Sequence, residues 1–212
     1  MNSELAIDLI QGTDEWLQAR CGSLGASSVA DATAKTKSGW GASRANVMAR
    51  LLVERLTGSP QNTYTNAAMQ WGTETEPQAR AAYELIMDAE VLEVGLCMHP
   101  DIDGSHASPD GLVGDLGLLE IKCPQTATHI DTLLGKAIDG KYIKQMQWQM
   151  ACTNREWCDF VSFDPRLPPD LQFFCQRVER DNKLIAELED QVCEFLKELE
   201  SKLVRLQEDC SS

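Results

Sequence analysis

Ser108-Pro109-Asp110-Gly111-Leu112-Val113-Gly114-Asp115-Leu116-Gly117-Leu118-Leu119-Glu120-Ile121-Lys122-Cys123 is the stretch from which the rest of the chain is read. Leu112-Val113 ends one strand, Gly114 to Gly117 turns the chain, and Leu118 to Cys123 returns it, so a tight β-hairpin is predicted. Side chains alternate across a strand, which puts Glu120 and Lys122 on one face and Leu119, Ile121 and Cys123 on the other. Asp110, on the partner strand or just before it, can then be brought beside Glu120. Two hard oxygen ligands with an ammonium group alongside suit Mg²⁺, which takes few protein carboxylates and leaves its other positions to water and phosphate. The lysine can orient or deprotonate an attacking water, so the expected chemistry is metal-assisted hydrolysis of a phosphodiester.

An E-x-K on an amphipathic strand is, taken alone, most often a solvated face. The Pro-Asp step, the ten-residue gap from Asp110 to Glu120 and the glycine-containing turn between them raise this one to the PD-(D/E)xK pattern of a nuclease core.

With 212 residues and 43% hydrophobic content, one sizeable core and a single domain over 1–212 are expected. No apolar run reaches the length of a membrane span, and Met1–Gln11 lacks the basic start and apolar block of a signal peptide. Cysteines stand at 21, 97, 123, 152, 158, 175, 193 and 210 without a C-x-x-C, a spacing that reads as reduced core thiols of a cytosolic protein. The net charge of −14 disfavours a protein that coats nucleic acid by charge alone. Its distribution is uneven: Arg20 to Arg55 holds six bases against two acids, and Glu179 to Asp209 holds ten acids against five bases.

Thr13 is a plausible cap for a helix carrying Trp16 and Leu17 inward and ending at Arg20. Ser27 and Ser28 start a second short helix, and hydroxyls at a helix start near an arginine can form a phosphate site or simply cap the helix. The loop from Lys35 to Gly41 is basic and either touches a DNA backbone or is solvated. Ser43–Thr57 is an amphipathic helix stopped by Gly58, and Ser59–Thr65 is a polar loop. Asn66 to Pro77 leads into a helix over Ala79–Met87, with Glu76 either a third carboxylate or a solvent-facing residue at the helix start. Val91–Met98 reads as one strand. In the helix Lys141–Met150, the stripe of Lys141, Gln145 and Gln149 faces either the metal site or solvent. Trp157–Asp164 and Leu171–Val178 can pair as a hairpin, and a long helix over about 181–207 carries an apolar stripe from Leu184 to Leu206.

These landmarks, in order, give the chain a resemblance to the lambda exonuclease, or YqaJ-type viral recombinase, family. They are Glu15-Trp16 with Arg20 and Ala26-Ser27, Trp71-Gly72 with Glu76, the hairpin motif, Tyr142 with Gln145 and Gln147, and Asp164-Pro165-Arg166. The resemblance covers nearly the whole chain and implies an α/β fold, a central mixed β-sheet flanked by helices with a restriction-endonuclease-like core. It implies a Mg²⁺-dependent exonuclease that degrades the 5′-ended strand of duplex DNA, releases mononucleotides and leaves 3′ overhangs for a single-strand annealing protein. Family members form ring-shaped homotrimers around DNA, and phage or prophage origin implies action in the bacterial host cytoplasm. By the same resemblance Asp110, Glu120 and the Ile121 carbonyl hold two Mg²⁺ (or Mn²⁺) ions, Glu76 stands in the metal shell, and Lys122 acts on the water. Arg20, Ser27, Ser108 and Gln145 match a pocket for the 5′-terminal phosphate, Met69 a wedge at the terminal base pair, and Lys37 a minor-groove contact. The alternatives are another PD-(D/E)xK nuclease, restriction-type or Cas4-like, and a non-catalytic module that binds DNA ends; the scattered cysteines disfavour the Cas4-like form.

Overall fold

The computed structural model describes residues 5–6, 9–37, 39–61 and 67–209. Cys210, Ser38 of the basic loop and residues 62–66 of the polar segment lie outside the described residues.

In chain order the elements are β1 (Leu5–Ala6), α1 (Asp14–Ala19), β2 (Leu24–Gly25), α2 (Ala26–Ala32), β3 (Lys35–Thr36), β4 (Gly39–Trp40), α3 (Ala42–Thr57), α4 (Ala67–Met87), β5 (Val91–Leu92) and β6 (Leu96–Met98). They continue with β7 (Ser105–Ala107), β8 (Gly111–Val113), β9 (Gly117–Lys122), α5 (Thr126–Leu133), α6 (Gly140–Thr153), β10 (Trp157–Phe163), β11 (Phe173–Glu179) and α7 (Asn182–Asp209).

The hairpin forms as its sequence dictates. β8 and β9 pair antiparallel with Gly111 opposite Leu119 and Val113 opposite Gly117, so the same register sets Asp110 against Glu120. β9 then pairs parallel with β10, which pairs antiparallel with β11, giving a mixed five-stranded sheet in the order β11-β10-β9-β8-β5. A smaller mixed sheet, β1-β6-β7-β2, stands beside it, and β3-β4 is a separate two-stranded ribbon.

Alternation along β9 sorts its side chains between two cores. Leu119 and Ile121 join Val113, Val161 and Phe163 beneath Ala79 and Tyr83 of α4. Leu118 faces the other way, into the core that α2, α3, α6 and α7 build with Met146, Trp148, Val192 and Phe195. Glu120 lies on that second side, wholly buried, so the solvated-face alternative for the E-x-K fails.

Two expected boundaries are corrected. The helix expected at Ala79 begins at Ala67 and runs through Pro77, because packing of Ala79 and Tyr83 anchors it despite Gly72, two threonines and the proline. Val91–Met98 is two strands in different sheets; the chain breaks at Gly95, where a Cβ would collide with the Leu9 carbonyl. Elsewhere local chemistry sets the ends. Thr13 Oγ1 accepts from the Trp16 N–H at 3.3 Å to cap α1, and Asp181 Oδ1 accepts from the N–H groups of Lys183 and Leu184 at 3.0 Å to cap α7.

The acidic α7 also answers the basic N-terminal third. Glu198 takes Arg44 at 2.7 Å and Glu200 takes Arg55 at 3.1 Å, which leaves Arg20 and Arg50 as the arginines of that stretch that face a cleft.

Candidate active site

Glu120 is the centre of the site. Its Oε1 accepts from Gln145 Nε2 at 2.7 Å and pairs with Lys122 Nζ, and its Oε2 accepts from Gln149 Nε2 at 2.6 Å. Burying an ionised carboxylate costs several kcal/mol, and each charge-assisted hydrogen bond returns roughly 1.5–3 kcal/mol, so the three donors approximately offset that cost. The arrangement therefore places a carboxylate at little net gain in stability, as expected of a site kept for chemistry. Of the polar stripe on α6, Gln145 and Gln149 face this carboxylate and Lys141 is exposed.

Asp110 sits next to it at the start of β8, with Oδ2 accepting from the Ile121 N–H at 2.6 Å. Burial raises its carboxyl well above the ordinary carboxylate range, Glu120 raises it further, and Lys122 works against both. Burial works to lower Lys122 and is outweighed by Glu120 and Asp110, which hold the ammonium above its usual value. Glu76 approaches from α4, paired with Arg80 at 2.7 Å, while Arg80 also donates to the Asp110 carbonyl at 3.3 Å. Burial raises the Glu76 carboxyl, with Arg80 and Lys122 opposing. The expected third carboxylate is thus at the site, drawn aside by a bridge to Arg80. Among the described residues no three carboxylates, histidines or cysteines gather as a cation site, and the carboxylates side by side across the hairpin are Asp110 and Glu120. That set suits a small hard cation completed by water, and a divalent charge would relieve the crowding that lifts Asp110. Burial pushes the thiol of neighbouring Cys123 up to about 12, so it stays protonated and supplies no thiolate.

Two clefts meet here. One, of about 620 Å³, is lined by Trp71, Glu76, Asp110, Lys122, Tyr142 and Arg166 among others. The second, about 910 Å³, holds Trp16, Arg20, Ser27, Ser28 and Arg50. They share Met69, Glu76 and Asp110. Arg20 stacks on the Trp16 ring, 4.2 Å from its centroid, and burial followed by the nearby Arg50 lowers its guanidinium below the ordinary value. Arg50 donates to Ser28 Oγ at 3.1 Å and to Glu54 at 3.4 Å. Beneath them lies His106, whose Nδ1 meets Ser23 Oγ at 2.8 Å and whose Nε2 has no partner among the described residues. Burial, then Arg20 and Arg50, press its pKa down to about 3, so the imidazole is neutral. A Cβ on Gly25 would come within 2.9 Å of His106 Nε2 and 3.2 Å of Arg20 Nη2, so the glycine lets the three groups close up.

The remaining predicted residues divide. Ser27 is exposed in the second cleft with Arg20, and Met69 stands where the clefts join. Ser108 lines neither cleft: its hydroxyl donates to the Gly95 carbonyl at 2.7 Å and accepts from Trp16 Nε1 at 3.3 Å, while that indole N–H also reaches the Gly95 carbonyl at 2.7 Å. Gln145 spends one amide hydrogen on Glu120 and keeps the other. Lys37 is exposed beyond β3 and lines neither cleft. Sequence reasoning missed Arg50 and His106; the i, i+4 spacing of Arg50 to Glu54 and the position of His106 just before the hairpin gave no sign that the two gather around Arg20.

Comparison with known proteins agrees with this geometry. A family model described as a YqaJ-like viral recombinase domain matches residues 15–156. The chain is 55% identical to an alkaline exonuclease (LHK-Exo) from Laribacter hongkongensis, with a TM-score of 0.88 over 94% of this chain and 98% of that one. A further structure holds LHK-Exo in complex with dAMP. A phage-related exonuclease from Haemophilus somnus shares the fold at 17% identity, with a TM-score of 0.72 over 87% of this chain and 96% of that one. No curated protein sequence matches the chain.

Proposed function

The chain belongs to the YqaJ-like viral recombinase family, and from that premise we propose that it is a metal-dependent exonuclease degrading the 5′-ended strand of duplex DNA from a 5′-phosphorylated end. The observation that carries the proposal is the junction at Asp110: a cleft lined by Asp110 and Lys122, with Glu120 buried behind the lysine, joins a second cleft where Arg20 and Arg50 stand beside two serines. The relation to LHK-Exo supports a nuclease, and its complex with dAMP supports a mononucleotide as the leaving product.

Asp110, Glu120 and the Ile121 carbonyl would hold Mg²⁺, as two ions, or Mn²⁺, which supplies charge neutralisation at the phosphate and a water of lowered pKa. Lys122, fixed by Glu120, orients the attacking water. Glu76 borders the site and keeps Arg80 turned toward the Asp110 backbone. Arg20, Ser27, Arg50 and Ser28 hold the terminal phosphate, with the free amide hydrogen of Gln145 as a further donor, so that the next bond lies over the carboxylates. Ser108 braces Trp16, and through it Arg20. Met69 separates the terminal base pair, and Lys37 contacts the duplex further out. The same proposal takes the whole chain as one exonuclease domain, assembled as a homotrimeric ring, serving a single-strand annealing protein in the cytoplasm of a bacterial host.

The test is degradation of linear duplex with a 5′ phosphate, linear duplex with a 5′ hydroxyl, and closed circular duplex, each with and without Mg²⁺. The expected result is Mg²⁺-dependent release of nucleotides from the linear forms, fastest with the phosphate, and no attack on the circle. Cutting of the circle points to a restriction-type nuclease, and binding without cleavage to a non-catalytic end-binding module; either outcome removes the proposal.

A further inference from the structure

The first cleft carries a second cation, held apart from Lys122. Among the residues that line it, the cations are Lys122 and Arg166, and Lys122 is bound to Glu120. Arg166 is held from behind. Its Nε donates to Asp164 Oδ1 at 2.7 Å and its Nη2 to Oδ2 at 2.9 Å, and Nη2 also reaches the Pro124 carbonyl at 3.2 Å. Asp164 is wholly buried; burial acts to raise its pKa, but hydrogen bonds from Arg166 and Thr126 prevail and hold it near 2, so the clamp stays charged across the working pH range. The guanidinium lies over the Trp71 ring, 4.3 Å from its centroid. Among the described residues the buried indole N–H has no acceptor, and the contact with Arg166 is through the ring face. A fork gripped through Nε and Nη2 presents Nη1 on its outer edge, and Arg166 is exposed at 44%. An arginine fixed in this way loses little side-chain freedom when an anion arrives.

We propose that Arg166, carried on Trp71 and Asp164, grips the phosphodiester immediately 3′ of the bond being cut. This rests on the exonuclease reading above. With the 5′ phosphate beside Arg20 in one cleft and the scissile bond over Asp110 and Glu120, the strand continues into the other cleft, where Arg166 stands. Arg166 is thereby a binding residue that sets the strand's register after each cut, and Trp71 and Asp164 are positioning residues acting through it.

The test uses single-turnover cleavage of 5′-phosphorylated duplexes with one uncharged methylphosphonate, either at the linkage next to the scissile bond or five linkages further along. With the wild type, the adjacent neutral linkage is expected to slow the first cut roughly tenfold or more, the measure of one lost charge-assisted hydrogen bond, and the distant one to leave it unchanged. Arg166→Lys, which keeps the charge beside buried Asp164 but loses the fork and the stack, is expected to cut the unmodified duplex about as slowly and to be indifferent to the adjacent methylphosphonate. Trp71→Phe keeps a ring face and is expected to stay within a few-fold of wild type. Equal wild-type rates on the two modified duplexes overturn the inference alone, as do losses from Arg166→Lys and the adjacent methylphosphonate that multiply. No cutting of the unmodified duplex by the wild type overturns the exonuclease reading as well.

Discussion

Around Glu120 most of the charge is met from within the chain: Lys122, Gln145 and Gln149 converge on one carboxylate and Arg80 takes Glu76, while Asp110, held by a backbone N–H, is left raised by burial and by Glu120. Around Arg20 the balance is left open. Its guanidinium rests on an aromatic face beside a second arginine and above a histidine that burial keeps neutral. The first region is tied together internally apart from the surplus negative charge at Asp110, and the second sets two neighbouring arginines, one of them paired with Glu54, on the wall of a cleft. A site that closes its own charges can be buried and rigid. One that leaves a charge open must face a cleft, as Arg20 does.

The comparison is broken most severely at Lys122. Lys122→Ala removes both the counter-charge of Glu120 and the group that orients water, and we expect nucleotide release to fall about 10²- to 10⁴-fold while DNA binding in a gel-shift assay survives. A variant that cuts at the wild-type rate removes the assignment of this lysine. Arg20→Ala tests the open cleft. A loss of roughly 10- to 100-fold is expected on 5′-phosphorylated ends and much less on 5′-hydroxyl ends, and equal losses on both would count against a phosphate pocket.

His106 sharpens the contrast through pH. Its folded pKa of about 3 lies below the ordinary 6.5, so the unfolded chain takes up the proton first as pH falls. Its contribution is thus complete above pH 6.5 and declines below it, by at most about 1.4 kcal/mol per pH unit, until the folded value is reached. Asp110 acts in the opposite sense, since its raised carboxyl favours the fold as acid is added. Urea unfolding between pH 7 and 5 should therefore show a steeper loss for the wild type than for His106→Gln, and equal slopes would mean that the imidazole is not held neutral.

Much of the catalytic end was legible because a hairpin converts sequence spacing into contact. The two strands and the turn fix Asp110 opposite Glu120 with no help from the rest of the fold. The alternation that parts Leu119 from Glu120 follows from the pleat alone. The open cleft was legible only in part, since Arg20, Ser27 and Arg50 come from three helices and meet through packing. The Ser108 contact was hidden for the same reason: its partner, the Gly95 carbonyl, belongs to a segment that looked like the middle of a strand. The early start of α4 was hidden by residues of low helix propensity, whose cost is met by Ala79 and Tyr83 packing a turn or two downstream.

Pro77 gives α4 a property that a helix drawn as one rod conceals. With no N–H, it cannot bond the Thr73 carbonyl four residues back, and its ring crowds that oxygen. Downstream, Ala79 and Tyr83 tie the helix to the sheet; upstream, Thr75 is the buried residue within 67–76. The two halves are therefore separate units of local stability, and amide hydrogen exchange should divide at the proline, with 67–76 opening at a fraction of the free energy that guards 78–87. Met69 and Glu76 ride on the looser half and Arg80 on the firmer one. The stretch of helix that walls both clefts can thus yield without asking the sheet to unfold.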